Sequence, residues 1–361
     1  MSLPTPLRVF WDFWTKPIRG ESLAMFRILL GITFLGSLLT GMAPILAITC
    51  GQGGICPAAT CDEWLANSGR LCLLRGPVSL PFLSDWLPED LARAYPSLNK
   101  QLPPRWAATW TKWGSTPGAV YLLFGLLLAS VVCMTVGLGT RVSTIAALLL
   151  ASTIHHRLSW FMNGGDYLFR NGLYFLVLSP AGAVWSVDSL LRRRLWGRCA
   201  DSPVLIAPWS VRLMQIQVCI MYFFTGIMKL SPDYLRGEAI YWVLNDIAIC
   251  RWPYARVPIP LLACRLLTWT TLVFEIGFSL FVCIRPLRKY LLLVGLLFHL
   301  GIFVVLEIGW FSQVVMCWYV LFVPGEQVEA VVGRFVRHPS TPSLQPTLGR
   351  RSSGAVSSPP S

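Results

Sequence analysis

The sequence predicts an all-α, polytopic integral membrane protein of about eight transmembrane helices with one long outward loop. Three observations carry this. Hydrophobic residues make up 55% of the 361 residues and charged residues only 13%, about half the charged share of a soluble domain. Mean hydropathy is +0.59. The apolar residues also fall in long runs separated by short charged connections, as a helix crossing ~30 Å of hydrocarbon requires.

The elements follow in chain order. Residues 1–22 read as a cytoplasmic N-terminal segment. Trp11, Asp12, Trp14 and Lys16 interrupt any early apolar region, and no small-residue cleavage site follows, so a cleaved signal peptide is not expected. Apolar spans are expected at 23–47, 118–136, 142–160, 167–185, 209–229, 263–284, 289–306 and 308–324. The last two form one continuous stretch of about 35 residues, or about 50 Å of helix, too long for one crossing. A break at Glu307-Ile308-Gly309 makes them a tight hairpin. Trp160, Trp185, Trp209, Trp269 and Trp310 near span ends fit the interfacial aromatic belt. A transmembrane domain over 23–336 and a disordered, Ser- and Pro-rich cytoplasmic tail over 337–361 complete the expected organisation.

Basic residues set the expected orientation. With the N-terminus inside, the inner segments hold Arg8, Lys16 and Arg19; Arg141; Arg192, Arg193, Arg194 and Arg198; Arg285, Arg288 and Lys289; and Arg334, Arg337, Arg350 and Arg351. The positive-inside rule then places both termini in the cytoplasm, as in a multi-pass protein of a bacterial inner membrane. The net charge of +13 would suggest nucleic acid in a soluble chain. Here topology accounts for it, and the partner expected is the lipid bilayer, with no nucleic acid.

Residues 48–117 form the long outward loop. Cys50, Cys56, Cys61 and Cys72 lie within 23 residues of one another there. On an oxidising face, four cysteines suggest up to two disulfides, with three possible connectivities. Zinc is the alternative, but the spacing lacks Cys-x2-Cys pairs. From Leu80 to Trp113 the loop reads as short amphipathic helices on the membrane surface. A second outward loop, about 230–262, carries an interfacial helix near Gly237–Leu244, with Trp252-Pro253 and Pro258-Ile259-Pro260 ending regular structure.

Lys229 is the leading candidate for chemistry. It closes an apolar run and is followed by Leu230-Ser231-Pro232. An ammonium beside a bilayer is costly, and burial favours the uncharged amine that can accept a proton. A lysine at a helix end can equally snorkel to the headgroups. Arg212, Gln215, Cys219, Tyr222, Gly226 and Lys229 are spaced by three or four and share one helix face. Such a stripe faces other helices or a cavity, whether for function or for structural hydrogen bonding. Asp166 and Arg170 are spaced i, i+4 in the favourable order, a tie for the fourth span or a binding pair. Glu275 and Glu307 sit in apolar sequence and, if buried, would be held as neutral acids. Only His155, His156, His299 and His338 are available as imidazole ligands, so no metal centre is expected.

Several stretches together carry a resemblance: Phe26-Arg27-Ile28-Leu29-Leu30-Gly31; Gly137-Leu138-Gly139-Thr140-Arg141; Trp185-Ser186-Val187-Asp188; Tyr222-Phe223-x-x-Gly226-x-x-Lys229-Leu230 with Arg236-Gly237; and Phe298-His299 followed by Gly309-x-Phe311-Ser312. They resemble the HTTM (horizontally transferred transmembrane domain) family over about residues 8–330. That family is similar to the membrane half of vitamin K-dependent gamma-carboxylase. The resemblance implies that Lys229 is a base acting on a quinol, with His299 a second catalytic residue. Tyr222, Gln215, Asp166, Arg170 and Glu275 are binding candidates from their own placement in the sequence. The quinol implied is one such as reduced vitamin K, and its oxygenation yields a stronger base that takes a proton from a glutamate side chain before CO₂ adds. Two departures stand out. Asn163-Gly164-Gly165-Asp166-Tyr167-Leu168 carries glycine where the carboxylase pairs asparagine with histidine, and no large lumenal domain is expected after the membrane region. A secreted peptide is a second partner the resemblance implies. The leading expectation is a carboxylase-like or quinol-oxygenating membrane enzyme. The alternative is a non-catalytic chaperone, maturation or immunity factor for an exported peptide.

Overall fold

The computed structural model describes residues 5–50, 116–158, 161–196, 203–252 and 257–336. They are almost entirely helical. An N-terminal helix, α1 (Thr5–Thr15), leads into a two-residue strand, β1 (Ile18–Arg19). Next comes a long first span built of α2 (Glu21–Ser37), a π-helical turn Leu38–Met42 and α3 (Ala43–Cys50). Pro44 explains the turn. It has no N–H for the carbonyl one turn back and its ring crowds that carbonyl, so the helix widens.

Then follow α4 (Pro117–Val136), α5 (Thr140–Arg157), α6 (Gly164–Leu178) and α7 (Val187–Trp196). After β2 (Leu205–Ile206), which pairs antiparallel with β1, comes α8 (Trp209–Met228). Two short helices, α9 (Pro232–Leu235) and α10 (Ala239–Asn245), precede α11 (Leu261–Phe281) and α12 (Arg285–Val305). The chain then runs through α13 (Phe311–Tyr319), a 3₁₀ turn at Val320–Phe322 and α14 (Gly325–Val336).

Five of these helical segments are long and apolar enough to cross a membrane: 21–50, α4, α8, α11 and α12. A sixth is reached if α13 with its 3₁₀ turn and α14, bent by 113°, count as one broken span. Each of the eight expected runs falls on a helix, but α5 and α6 do not meet that test. The fourth ends at Leu178, short of the expected 185, because Ser179 leaves the helix in extended conformation and the chain turns through Pro180–Ser186. The expected hairpin break is where the chain turns: α12 stops at Val305 and Gly309 adopts φ +63°. Glu307 there is exposed and bonds Arg251 at 2.5 Å. Arg251 holds the Glu307 carboxyl below the usual range, and the burial on which a neutral acid there depended is not met.

The core runs along the first span. Leu23, Phe26, Leu30, Phe34, Leu38 and Leu46 are all at most 1% exposed. They pack on α4, α6 and α13, with Phe34 stacked on Phe169 at 4.7 Å and Phe26 edge-on to Trp318 at 5.1 Å. Gly31 makes this close approach possible, since a Cβ there would fall 1.9 Å from the Thr135 hydroxyl.

At one end of the bundle, three sequence motifs meet. Asp188 accepts from the N–H groups of Gly139 (2.8 Å) and Thr140 (2.7 Å) and from the Thr140 hydroxyl (2.7 Å), capping α5. Arg27, fully buried, donates to the carbonyls of Ala181 (2.7 Å) and Trp185 (2.5 Å) and so fixes the α6–α7 turn. The same end holds the β1–β2 ribbon and the basic residues Arg19, Arg141, Arg192, Arg193, Arg285 and Lys289. Arg19 bonds Glu21 (2.7 Å) and Glu329 (2.5 Å), seating α14 against the start of the first span.

Cys50 is buried at the end of α3 and forms no disulfide among the described residues. Cys56, Cys61 and Cys72, the expected surface helices of the long loop and the tail all lie outside the described residues.

Candidate functional site

At the opposite end, α8, α11, α12 and α13 bring isolated polar groups together inside apolar sequence. Lys229 follows the last turn of α8, and its Nζ pairs with Oε1 of Glu275 on α11. The Glu275 side chain is 7% exposed and that of Lys229 27%. The ammonium also lies 5.9 Å from the centre of the Tyr234 ring. The pair therefore ties the two helices together, and Lys229 does not simply reach out to the headgroups.

Two turns back on α8, Tyr222 is buried, and its hydroxyl is 2.6 Å from Nε2 of His299 on α12. The same hydroxyl bonds that of Tyr319 on α13. His299 and Gly295 are the buried residues of α12, one turn apart on its inner face. The other faces of α12 are apolar and outward. Gly295 lets Tyr319 in, since a Cβ there would lie 2.5 Å from the tyrosine hydroxyl. Gly226 does the same for α11: its Cβ would fall 2.6 Å from Cγ1 of Ile276 and 3.2 Å from the Ile276 backbone nitrogen. This close helix crossing sets Lys229 against Glu275.

Aromatic rings wall the cluster. Phe274 and Phe278 pack on Tyr222 at 5.7 and 4.5 Å, and Phe311 lies 5.9 Å from His299. Two buried polar atoms of this cluster, Oε2 of Glu275 and Nδ1 of His299, have no partner within hydrogen-bonding geometry, although the Thr225 hydroxyl lies close to the Glu275 carboxyl. An unmet buried donor or acceptor is costly. If the imidazole accepts from Tyr222 at Nε2, then Nδ1 carries the free hydrogen; the other tautomer reverses the roles.

The remaining expected residues lie elsewhere. Gln215 is fourteen residues from Lys229 along α8, about 21 Å of helix. It accepts from Arg212 (3.0 Å) and donates to the Leu321 carbonyl (2.6 Å), a structural tie. Asp166 completes a capping box at the start of α6, accepting from the Asn163 N–H at 3.0 Å. The Arg170 guanidinium lies 5.2 Å from the centre of the Tyr167 ring. Asp166 instead lines a small cavity of about 60 Å³ with Asn163, Gly309 and Trp310. The glycines of this stretch have a physical reason. A Cβ at Gly164 would meet the Phe311 ring at 3.3 Å, and one at Gly165 would meet the Phe311 backbone at 3.0 Å. Phe311 thus takes the space that a side chain would claim.

A family model described as the HTTM domain matches residues 107–326. The chain belongs to the HTTM family. Similarity to the gamma-carboxylase membrane domain is a general property of that family. No solved structure matches the chain. The HTTM match takes in α4 to the start of α14, and so every residue of the Lys229 cluster. It leaves out the first span with its Phe26-Arg27 stretch. Tyr319 is the member of the cluster that sequence reasoning missed. Its only signal is helical spacing, since Ser312, Val315 and Tyr319 fall on one face.

Proposed function

We propose that this HTTM protein is a membrane enzyme that removes a proton from a quinol or a secreted peptide, with Lys229, held by Glu275, as the proton acceptor. The observation that carries this reading is the pairing of Lys229 with a buried carboxylate beside the Tyr222–His299–Tyr319 chain of hydrogen bonds. When the proton shared within the pair rests on Glu275, the Lys229 amine is free to take one from the substrate, and the pair gains one positive charge. Tyr222 relays proton shifts between His299 and Tyr319, because a hydroxyl can donate and accept at once. A quinol such as reduced vitamin K would supply an ionisable hydroxyl on an aromatic ring. Oε2 of Glu275 and Nδ1 of His299, unpartnered between aromatic rings, would be the atoms to meet its hydroxyls. The proposed topology has eight crossings with both termini in the cytoplasm, so the Lys229 cluster opens toward the outer face.

Family membership alone does not carry an activity. The ion pair also supports a second reading, a non-catalytic factor for an exported peptide in which Lys229 and Glu275 only hold α8 to α11. Mass spectrometry of co-purified lipid-soluble molecules and of secreted peptides, from cells with and without the gene, separates the two. With dioxygen as the oxidant and CO₂ as the carbon source, the enzyme reading expects an oxidised quinone or a peptide with an added carboxyl group that depends on the gene. Unchanged quinones and peptides would remove it.

A further inference from the structure

The basic end of the bundle holds a cavity of about 890 Å³. That is within the size range of small-molecule sites, about 300–1,000 Å³. It opens between the start of α5, the α6–α7 turn, α7 and β2. Arg141, Arg192 and Arg193 line it, and all three are exposed. Among the described residues its one acidic lining residue, Asp188, is already engaged by Gly139 and Thr140. Burial pushes the Asp188 carboxyl up, but the Thr140 hydroxyl and the two N–H groups more than offset this and hold it below the usual range. Asp188 therefore mainly neutralises the positive start of α5, and offsets part of the charge of Arg192 as well, leaving Arg141 and Arg193 in excess. Arg192 is held in place by a 2.6 Å bond to the Gly182 carbonyl. Apolar side chains, among them Leu178, Leu205 and Trp209, line it as well.

Excess positive charge over an apolar wall, at a membrane-facing end, fits one ligand chemistry. We propose that this cavity binds a phosphate group through Arg141, Arg192 and Arg193, as the headgroup of an anionic phospholipid whose chains lie along the apolar wall. Guanidinium forks suit phosphate oxygens better than ammonium groups do. A free phosphate could present the same group to the arginines, and the test separates the two sources.

The bland explanation of these arginines is topology, so the control must remove equal charge elsewhere at the same end. Arg141→Gln with Arg193→Gln spares the Arg192–Gly182 bond. Arg285→Gln with Lys289→Gln removes two exposed charges outside the cavity. Full-length protein in nanodiscs of phosphatidylcholine with a minor share of phosphatidylglycerol is scored by native mass spectrometry for retained lipid, with and without inorganic phosphate. A hydrogen bond to a charged group contributes roughly 1.5 kcal/mol, or about tenfold, so the cavity variant, which loses two arginine–phosphate contacts, should lose roughly 100-fold in phosphatidylglycerol retention. The control variant should keep it. Inorganic phosphate that protects the wild type but not the cavity variant against heat, without any lipid preference, assigns the site to a soluble phosphate. Equal losses in both variants, or no phosphatidylglycerol preference and no phosphate effect in the wild type, overturn the proposal.

Discussion

Breaking the Lys229–Glu275 pair should be asymmetric, because its two ends differ in burial. Lys229→Met leaves Glu275, 7% exposed, without its partner, and its second oxygen has no hydrogen bond to fall back on. Glu275→Gln leaves Lys229, 27% exposed, able to reach water along its flexible stem. Removing one partner of a fully buried pair costs about 3–5 kcal/mol, whereas exposed pairs contribute about 0.2–1. The lysine substitution should therefore cost about 2–3 kcal/mol and the glutamate substitution about 1. The double variant should be less damaged than the sum, with a coupling of at least about 1 kcal/mol. Equilibrium unfolding of the four proteins in mixed detergent micelles gives the cycle. Additivity within about 0.5 kcal/mol, the value for independent sites, would refute the reasoning, as would a larger loss from Glu275→Gln than from Lys229→Met.

Three further outcomes are expected. Gly226→Ala places a Cβ 2.6 Å from the Ile276 side chain; overpacking of this kind costs about 1–3 kcal/mol, read as a lower Tm in micelles. Asp188→Ala removes the cap of α5, at about 0.5–2 kcal/mol. The folded-state value of Asp188 is lowered, so its contribution is present above the ordinary carboxylate range and fades as pH falls through the lowered value. The variant's Tm should thus converge on that of the wild type in acid, and a constant gap would contradict this. An impermeant thiol reagent on intact cells should reach Cys250, at the Lys229 end, before the exposed Cys283 at the basic end; the reverse order would invert the proposed orientation.

The spans were legible because an apolar run of bilayer length has few other uses. Tyr222, Lys229, Glu275 and His299 were legible for the complementary reason, each being a polar residue isolated in such a run. Gln215 misled because helical spacing reports a shared face and not a shared depth, and the stripe on α8 spans most of a membrane. Tyr319 was hidden among Val314, Val315, Cys317 and Trp318, where one more aromatic looks like core or interface. Arg27 read only as part of a motif. Its role appeared when the α6–α7 turn brought two carbonyls to it, a long-range contact that no local pattern encodes. The β1–β2 ribbon of two residues per strand is likewise too short to leave a period.

The central claim, that Lys229 moves a proton and does more than hold two helices together, is tested most directly by Lys229→Arg. A guanidinium can keep the ion pair with Glu275 but holds its own proton at any physiological pH. The oxidised quinone and the modified peptide would be quantified from cells carrying wild type, Lys229→Ala or Lys229→Arg, at matched levels of folded protein. The account predicts that both variants lose product by roughly 100-fold or more, the usual contribution of a general base. Wild-type product from the arginine variant would contradict it and leave Lys229 a structural residue.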